Sequence, residues 1–179
     1  MRKILIAIAA LAVGAIASAQ YQDTTPDLGQ SAVGFSFRVG VYWPADNAMR
    51  DISNTFSDVG MEYELEKSLL STGRTYISGD WISNKFVGGE HVANLTLNQR
   101  IYTRNQRFSA GGTPYFFLGG GVEFIHVNHI DTTTWCVRGG IGAEFKGNYF
   151  IEFGGYLSPK KDGINPSGIA GSIGYRFQY

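Results

Sequence analysis

The stretch Gly168-Ile169-Ala170-Gly171-Ser172-Ile173-Gly174-Tyr175-Arg176-Phe177-Gln178-Tyr179, at the C-terminus, decides the fold. Ile169, Ile173, Tyr175, Phe177 and Tyr179 share one parity, while Ser172, Gly174 and Arg176 share the other. Side chains alternate between two faces along a strand, so this pattern predicts a β-strand with one apolar and one polar side. Chain ends fray unless something ties them down, so a strand running to the last residue needs a neighbour that pairs with it.

Seven further segments carry the same period of two. The expected strands are 33–43, 58–66, 74–82, 91–102, 114–126, 134–146, 148–157 and 168–179, separated by Gly, Pro, Asn, Asp and Ser. Phe35, Phe37, Val39, Val41 and Trp43 fall on one side of the first strand; Val59, Met61, Tyr63 and Leu65 fall on one side of the second. The sixth contributes Trp135, Val137, Ile141, Ala143 and Phe145. The opposite face carries Arg38, Glu62, Glu64, Arg74, Asp80, Arg100, Glu123, Arg138, Glu144, Glu152 and Arg176. The fourth strand is the weakest, because Gln99 interrupts the side made apolar by Ala93, Leu95, Leu97 and Ile101.

The N-terminus reads as an export signal. Arg2 and Lys3 precede an apolar run from Ile4 to Ile16, and Ala17-Ser18-Ala19 is a small-residue cleavage site. The expected organisation is a signal peptide over 1–19 and one domain over 20–179. Removing 19 of 179 residues leaves 160, and takes Lys+Arg from 15 to 13 against 15 acids, a net charge of −2. That balance offers no electrostatic footprint for nucleic acid. The single cysteine, Cys136, permits no internal disulfide, and no Cys/His spacing suggests a metal or cofactor site.

Alternation alone does not say which face points outward: a soluble barrel would bury the apolar face, a membrane barrel the charged one. Three features favour the membrane. Nine strand glycines, among them Gly60, Gly142 and Gly174, fall on the charged face, against five on the apolar one, which fits a crowded polar interior. With both termini periplasmic, Trp43, Trp81 and Trp135 lie on the apolar face at the extracellular strand ends. Phe116, Phe145, Tyr149, Phe177 and Tyr179 lie on it at the periplasmic ends, making two aromatic girdles. Connections expected on the extracellular side are long at Pro44 to Ser57, moderate at Ser83 to Glu90 and Val127 to Thr133, and about ten residues at Ser158 to Ser167. On the periplasmic side Lys146-Gly147-Asn148 makes a tight turn, but Lys67 to Gly73 and Thr103 to Thr113 are longer than usual, so the asymmetry is partial. A soluble carrier of lipocalin type is the rival fold.

The terminal residues Ser172, Gly174, Phe177 and Tyr179 resemble the assembly signal of bacterial outer-membrane barrels. The repeated segments Gly119-Gly120-Gly121-Val122-Glu123-Phe124 and Gly139-Gly140-Ile141-Gly142-Ala143-Glu144-Phe145 are similar to those of small OmpA/OmpX-type outer-membrane proteins. This resemblance implies an all-β, eight-stranded, antiparallel up-and-down transmembrane barrel in the bacterial outer membrane. It also implies outer-membrane lipid and the assembly machinery as partners, a monomer, and surface ligands contacted through extracellular loops. Family members include structural barrels, adhesins, small-solute pores and a few lipid-modifying enzymes, so fold does not select a function.

Two constellations bear on function. Closure would bring Arg38, Arg138 and Arg176 near Glu62, Glu144 and Glu152 in a lumen that also receives Glu64 and Glu123, giving either a self-satisfied plug or a switchable conduit. Eight strands enclose only enough space for side chains to fill, which favours the plug. The second is Glu123-Phe124-Ile125-His126-Val127-Asn128, similar to the His-x-Ser arrangement of outer-membrane lipid A deacylases but with Asn128 where the serine would stand. An amide does not attack an ester, so no catalytic residue is assigned and a non-enzymatic structural or surface-interacting role is expected. Narrow pore or binding barrel is the alternative, and lipid-modifying enzyme the third.

Overall fold

The computed structural model describes residues 34–70, 73–85, 89–103 and 112–177. The expected signal peptide, the start of the mature chain and Tyr179 lie outside them. Eight strands follow one another: β1 (Phe35–Pro44), β2 (Phe56–Glu64), β3 (Gly73–Ser83), β4 (His91–Tyr102), β5 (Thr113–Val127), β6 (Ile130–Glu144), β7 (Tyr149–Leu157) and β8 (Gly168–Phe177). One short helix, α1 (Asn47–Arg50), interrupts the β1–β2 connection. Each strand pairs antiparallel with its neighbours in sequence, and β1 pairs with β8 from Phe35↔Phe177 to Pro44↔Gly168, which closes the barrel. The C-terminal strand is thus tied down by the first.

The strand count and the two faces agree with the alternation. Most strand ends fall within one or two residues of expectation, and two strands are displaced. The second strand starts at Phe56 and ends at Glu64, and the sixth starts at Ile130 where a loop running to Thr133 was expected. Asn128 and His129 both have positive φ, 52° and 62°, so a two-residue hairpin turn joins Val127 directly to Ile130. Such turns match the right-handed twist of the flanking strands, and the hairpin can therefore be long without splaying. Thr132, Thr133 and Thr134, polar but β-branched, continue the strand.

The barrel has two ends. The upper end carries the connections after β1, β3, β5 and β7; the lower end carries those after β2, β4 and β6. The upper mouth is filled by an apolar cluster in which Met49 of α1 and Ile164 of the last connection pack on Tyr42, Phe56, Ile82, Val92, Ile125 and Val127. Tyr42 donates to the carbonyl of Pro166, and Ala45 N–H donates to the carbonyl of Ser167, so the two long connections are joined over the mouth.

The glycine distribution has a steric cause. A Cβ on inward Gly60 would press into Asp80 and Arg38, one on Gly142 into the Tyr115 ring, and one on Gly174 into the Phe150 ring. A Cβ on outward Gly79 would meet nothing. These three inward glycines are sockets for neighbouring side chains, whereas at Gly40 and Gly121 a Cβ would meet the backbone of the adjoining strand.

Candidate functional site

The lumen is built by the even-numbered positions of β1, β2, β3, β4, β6, β7 and β8 and the odd-numbered positions of β5. At its centre Arg38, Arg100 and Arg138 surround Glu62 and Glu152, and all five side chains are buried. Arg38 lies 2.6 Å from Glu62 and 3.7 Å from Glu152; Arg100 lies 2.7 and 3.7 Å from the same two; Arg138 lies 3.8 and 2.7 Å from them. Every arginine is therefore within 4 Å of both glutamates. Arg38 also pairs with buried Asp80. Within this set three cations and three carboxylates balance, as ions that stay charged in a water-poor site require, while buried Asp58 stands beside Arg138 and Glu152 outside these ion pairs.

Aromatic rings complete this layer. The Arg100 guanidinium sits 4.4 Å above the Tyr76 ring and 5.0 Å from the Tyr115 ring, and Arg138 sits 4.6 Å above Phe117. Cations over ring faces are stabilised by the ring quadrupole while the rings exclude water. Tyr115 donates to Glu152 at 2.9 Å and Tyr156 donates to Asp80 at 3.0 Å, using acceptor capacity that the arginines leave free. A cavity of about 10 Å³ lies beside Asp58, Arg138 and Glu152, the room of one water molecule.

Two smaller pairs lie below. Arg176 donates to Glu144 at 2.5 Å with Tyr102 donating to the same carboxylate, and Arg74 lies 2.8 Å from Glu64. Glu123 stands apart: it is fully buried, and neither carboxylate oxygen has a hydrogen-bond partner among the described residues. Arg100 and Asp80 are central members that closure of the sequence-based charge set did not single out. Their parity put them on the charged face, but nothing local marks them as neighbours of Glu62 and Arg38.

The outside of the barrel is its mirror image. Phe37, Val39, Met61, Leu95, Ile141, Ile151, Phe153 and Ile173 point outward from all sides and are exposed. A continuous apolar surface wrapped round a charged, packed interior is the inverse of a soluble barrel, and it is the surface of a membrane-spanning one. Trp43 and Trp81 project outward at upper strand ends, while Tyr149 and Phe177 do so at lower ones. Phe116 and Phe145 are half-buried on the same lower face. Trp135, the most exposed tryptophan, stands opposite Val122 with Ile130–Thr134 extending β6 beyond it. Of the terminal-strand positions, Ser172 and Gly174 face inward beside Gly40 and Arg38 of β1.

A second polar constellation sits on the outer surface at the upper rim. The Trp81 ring stacks on His91 at 4.1 Å, His91 stacks on His126 at 4.9 Å, and His126 Nδ1 lies 2.5 Å from an Asp131 carboxylate oxygen. Strand pairing assembles this row, since His91 is opposite His126 and His126 opposite Asp131. Phe124, Thr132 and Thr133 line the open cleft of about 450 Å³ beside it. Lys161 donates to the Thr133 carbonyl at 2.8 Å. Sequence spacing pairs His126 with neither His91 nor Asp131; only the hairpin register does. Cys136, on the inner side of the same hairpin, is buried. Among the described residues no group of three or more His, Cys, Asp or Glu side chains is arranged to hold a metal ion.

No protein-family description and no curated protein matches the chain in sequence. Solved structures match in shape. The outer membrane enzyme PagL is 17% identical, with a TM-score of 0.53 over 82% of this chain and 99% of that one. The N-terminal β-barrel domain of OprF from Pseudomonas aeruginosa is 13% identical, with a TM-score of 0.49 over 83% of this chain and all of that one. The shared feature is the fold, that of a small outer-membrane barrel.

Proposed function

We propose that this chain is a plugged outer-membrane barrel with a structural or surface-interacting role, carrying its contacts on the upper connections and the β5–β6 hairpin. The observation that carries this reading is the central charge layer: three arginines and three carboxylates, closed over by rings, occupy the cross-section through which a solute would pass. Above it the apolar cluster around Met49 and Ile164 covers the mouth. Opening a path would require separating buried ion pairs, and breaking one by removing a partner typically costs about 3–5 kcal/mol. Protein reconstituted in planar bilayers should therefore give no steady single-channel conductance. A reproducible open level would replace this reading with the pore.

The rim cleft supports a second reading, a lipid-modifying enzyme. His126 and Asp131 have the geometry of a base and the carboxylate that orients it, and Thr133 supplies a hydroxyl to the same cleft. PagL is an enzyme on this fold. The cleft lies on the lipid-facing surface between apolar Phe124 and polar Asp131, where an ester at the headgroup boundary would reach it. On this reading, ester-linked lipid in mixed micelles is hydrolysed by the wild type and not by His126→Ala. Equal rates for both, or no hydrolysis by either, would leave the structural reading alone.

A further inference from the structure

Low on the lipid-facing wall the apolar belt is interrupted by a polar pair. Thr75 of β3 and Gln99 of β4 face outward directly opposite each other, and Gln99 is opposite Leu118 on its other side. This is the interruption that makes the fourth strand weak in sequence. Ile77, Leu97 and Leu118 around the pair are exposed members of the apolar belt. Unsatisfied polar groups at this height would be costly, because hydrocarbon offers no hydrogen-bonding partners.

The β2–β3 connection covers the defect. After β2 the chain folds back up the outside of the barrel, and Leu69 N–H donates to Thr75 Oγ1 at 2.7 Å. Thr75 in turn donates to Gln99 Oε1 at 2.6 Å, and Gln99 Nε2 donates to Ser68 Oγ at 3.1 Å. Ser68 Oγ donates to the Leu70 carbonyl at 2.7 Å, which completes a closed polar circuit. Thr75 is fully buried as a result, although it lies on the outer face. The same connection presents Leu69, 70% exposed, and Leu70, 47% exposed, on its far side.

The height of these leucines is set by the residues they cover. Gln99 pairs with Leu118, one outward position above the Phe116↔Ile101 pair on the lower side of the belt. On its own strand Gln99 stands between outward Leu97 above and Ile101 below, and Thr75 stands one outward position below Ile77, so a connection hydrogen-bonded to both lies against the lower margin of the belt. We propose that Lys67–Leu70 is a clasp embedded in the lower leaflet, which shields Thr75 and Gln99 on its inner side and gives Leu69 and Leu70 to lipid acyl chains. Its occupant is lipid because its apolar side continues the belt formed by Tyr63, Ile77, Leu97 and Leu118. The proposal rests on the reading of that belt as the membrane-spanning surface.

The test uses full-length mature protein with Cys136→Ser, carrying one environment-sensitive fluorophore at Leu69→Cys, Val39→Cys or Lys160→Cys, refolded into phosphatidylcholine vesicles. Val39 marks the middle of the belt and Lys160 the upper connections. Expected at position 69 is a blue-shifted emission, with loss of fluorescence to acyl-chain nitroxide lipids severalfold larger than loss to aqueous iodide, as at position 39. Iodide quenching at 69 equal to that at 160, with 39 still quenched by lipid, overturns the clasp and leaves the barrel reading standing. Protection of 69 from both quenchers, with protein in dimers, overturns it in favour of a second copy. Iodide quenching at 39 would instead sink the membrane reading itself.

Discussion

Arg38→Ala is expected to destabilise the folded barrel by about 3–5 kcal/mol, the usual cost of removing one member of a buried ion pair. Arg38 reaches Glu62 through Nη1 and Asp80 and Ser78 through Nη2, and it is essentially inaccessible to water. Without it Asp80 keeps only hydroxyl donors, Tyr156 at 3.0 Å and Ser78 at 3.2 Å. Glu62 fares better, because Arg100 and Arg138 remain within 4 Å. The uncompensated charge is therefore chiefly that of Asp80, and the double variant Arg38→Ala/Asp80→Asn should recover part of the loss. Lys161→Ala, which removes an exposed cation, should change stability by about 0–1 kcal/mol. Urea unfolding in detergent micelles measures all three. An Arg38→Ala loss as small as that of Lys161→Ala would mean that water screens the network, and the plug would have to be redrawn as a hydrated channel.

A charge on the outside should be nearly as damaging, but only at the right height. Val39 lies midway along β1, flanked by Val59 on β2 and Ile173 on β8, and all three face outward. Val39→Arg is expected to cost about 2–4 kcal/mol in lipid vesicles, the penalty for an arginine at the bilayer midplane of a barrel. Ile169→Arg, beside Trp43 at the upper strand end, should cost about 0–1 kcal/mol because the guanidinium can reach the headgroups. The two side chains are similarly exposed, so the contrast isolates depth from packing. Folding titrations that give equal penalties at both sites would contradict a lipid-facing belt. In a water-facing surface neither substitution would matter much.

The same two substitutions separate what kinds of information the chain carries. Val39 and Arg38 are neighbours in sequence, and their opposite fates follow from the strand alternation alone. That alternation is a local property of extended backbone, set by each residue's own geometry, so the two faces were legible along all eight strands, and the glycines and aromatic girdles indicated which of them points outward. The inward glycines and most of the strand boundaries were legible for the same reason, whereas the closure of the last strand on the first was expected from the resemblance to outer-membrane barrels. The largest exception, the start of β6, turned on Asn128 and His129 adopting positive φ, a conformation those residue types tolerate but do not announce.

Partnership was decided by tertiary structure. Arg38 meets Glu62 across 24 positions and Asp80 across 42, and nothing in the residues between them measures that approach. It depends on the stagger between strands and on how far each side chain reaches across the lumen. The Trp81–His91–His126–Asp131 row and the cover over Thr75 and Gln99 arise in the same way, from register and from the fold-back of a connection. Parity says only that a side chain points in or out. Which charge it neutralises, or which polar group it shelters from lipid, is a question of height on a closed surface, and height is a sum over every strand pairing round the barrel.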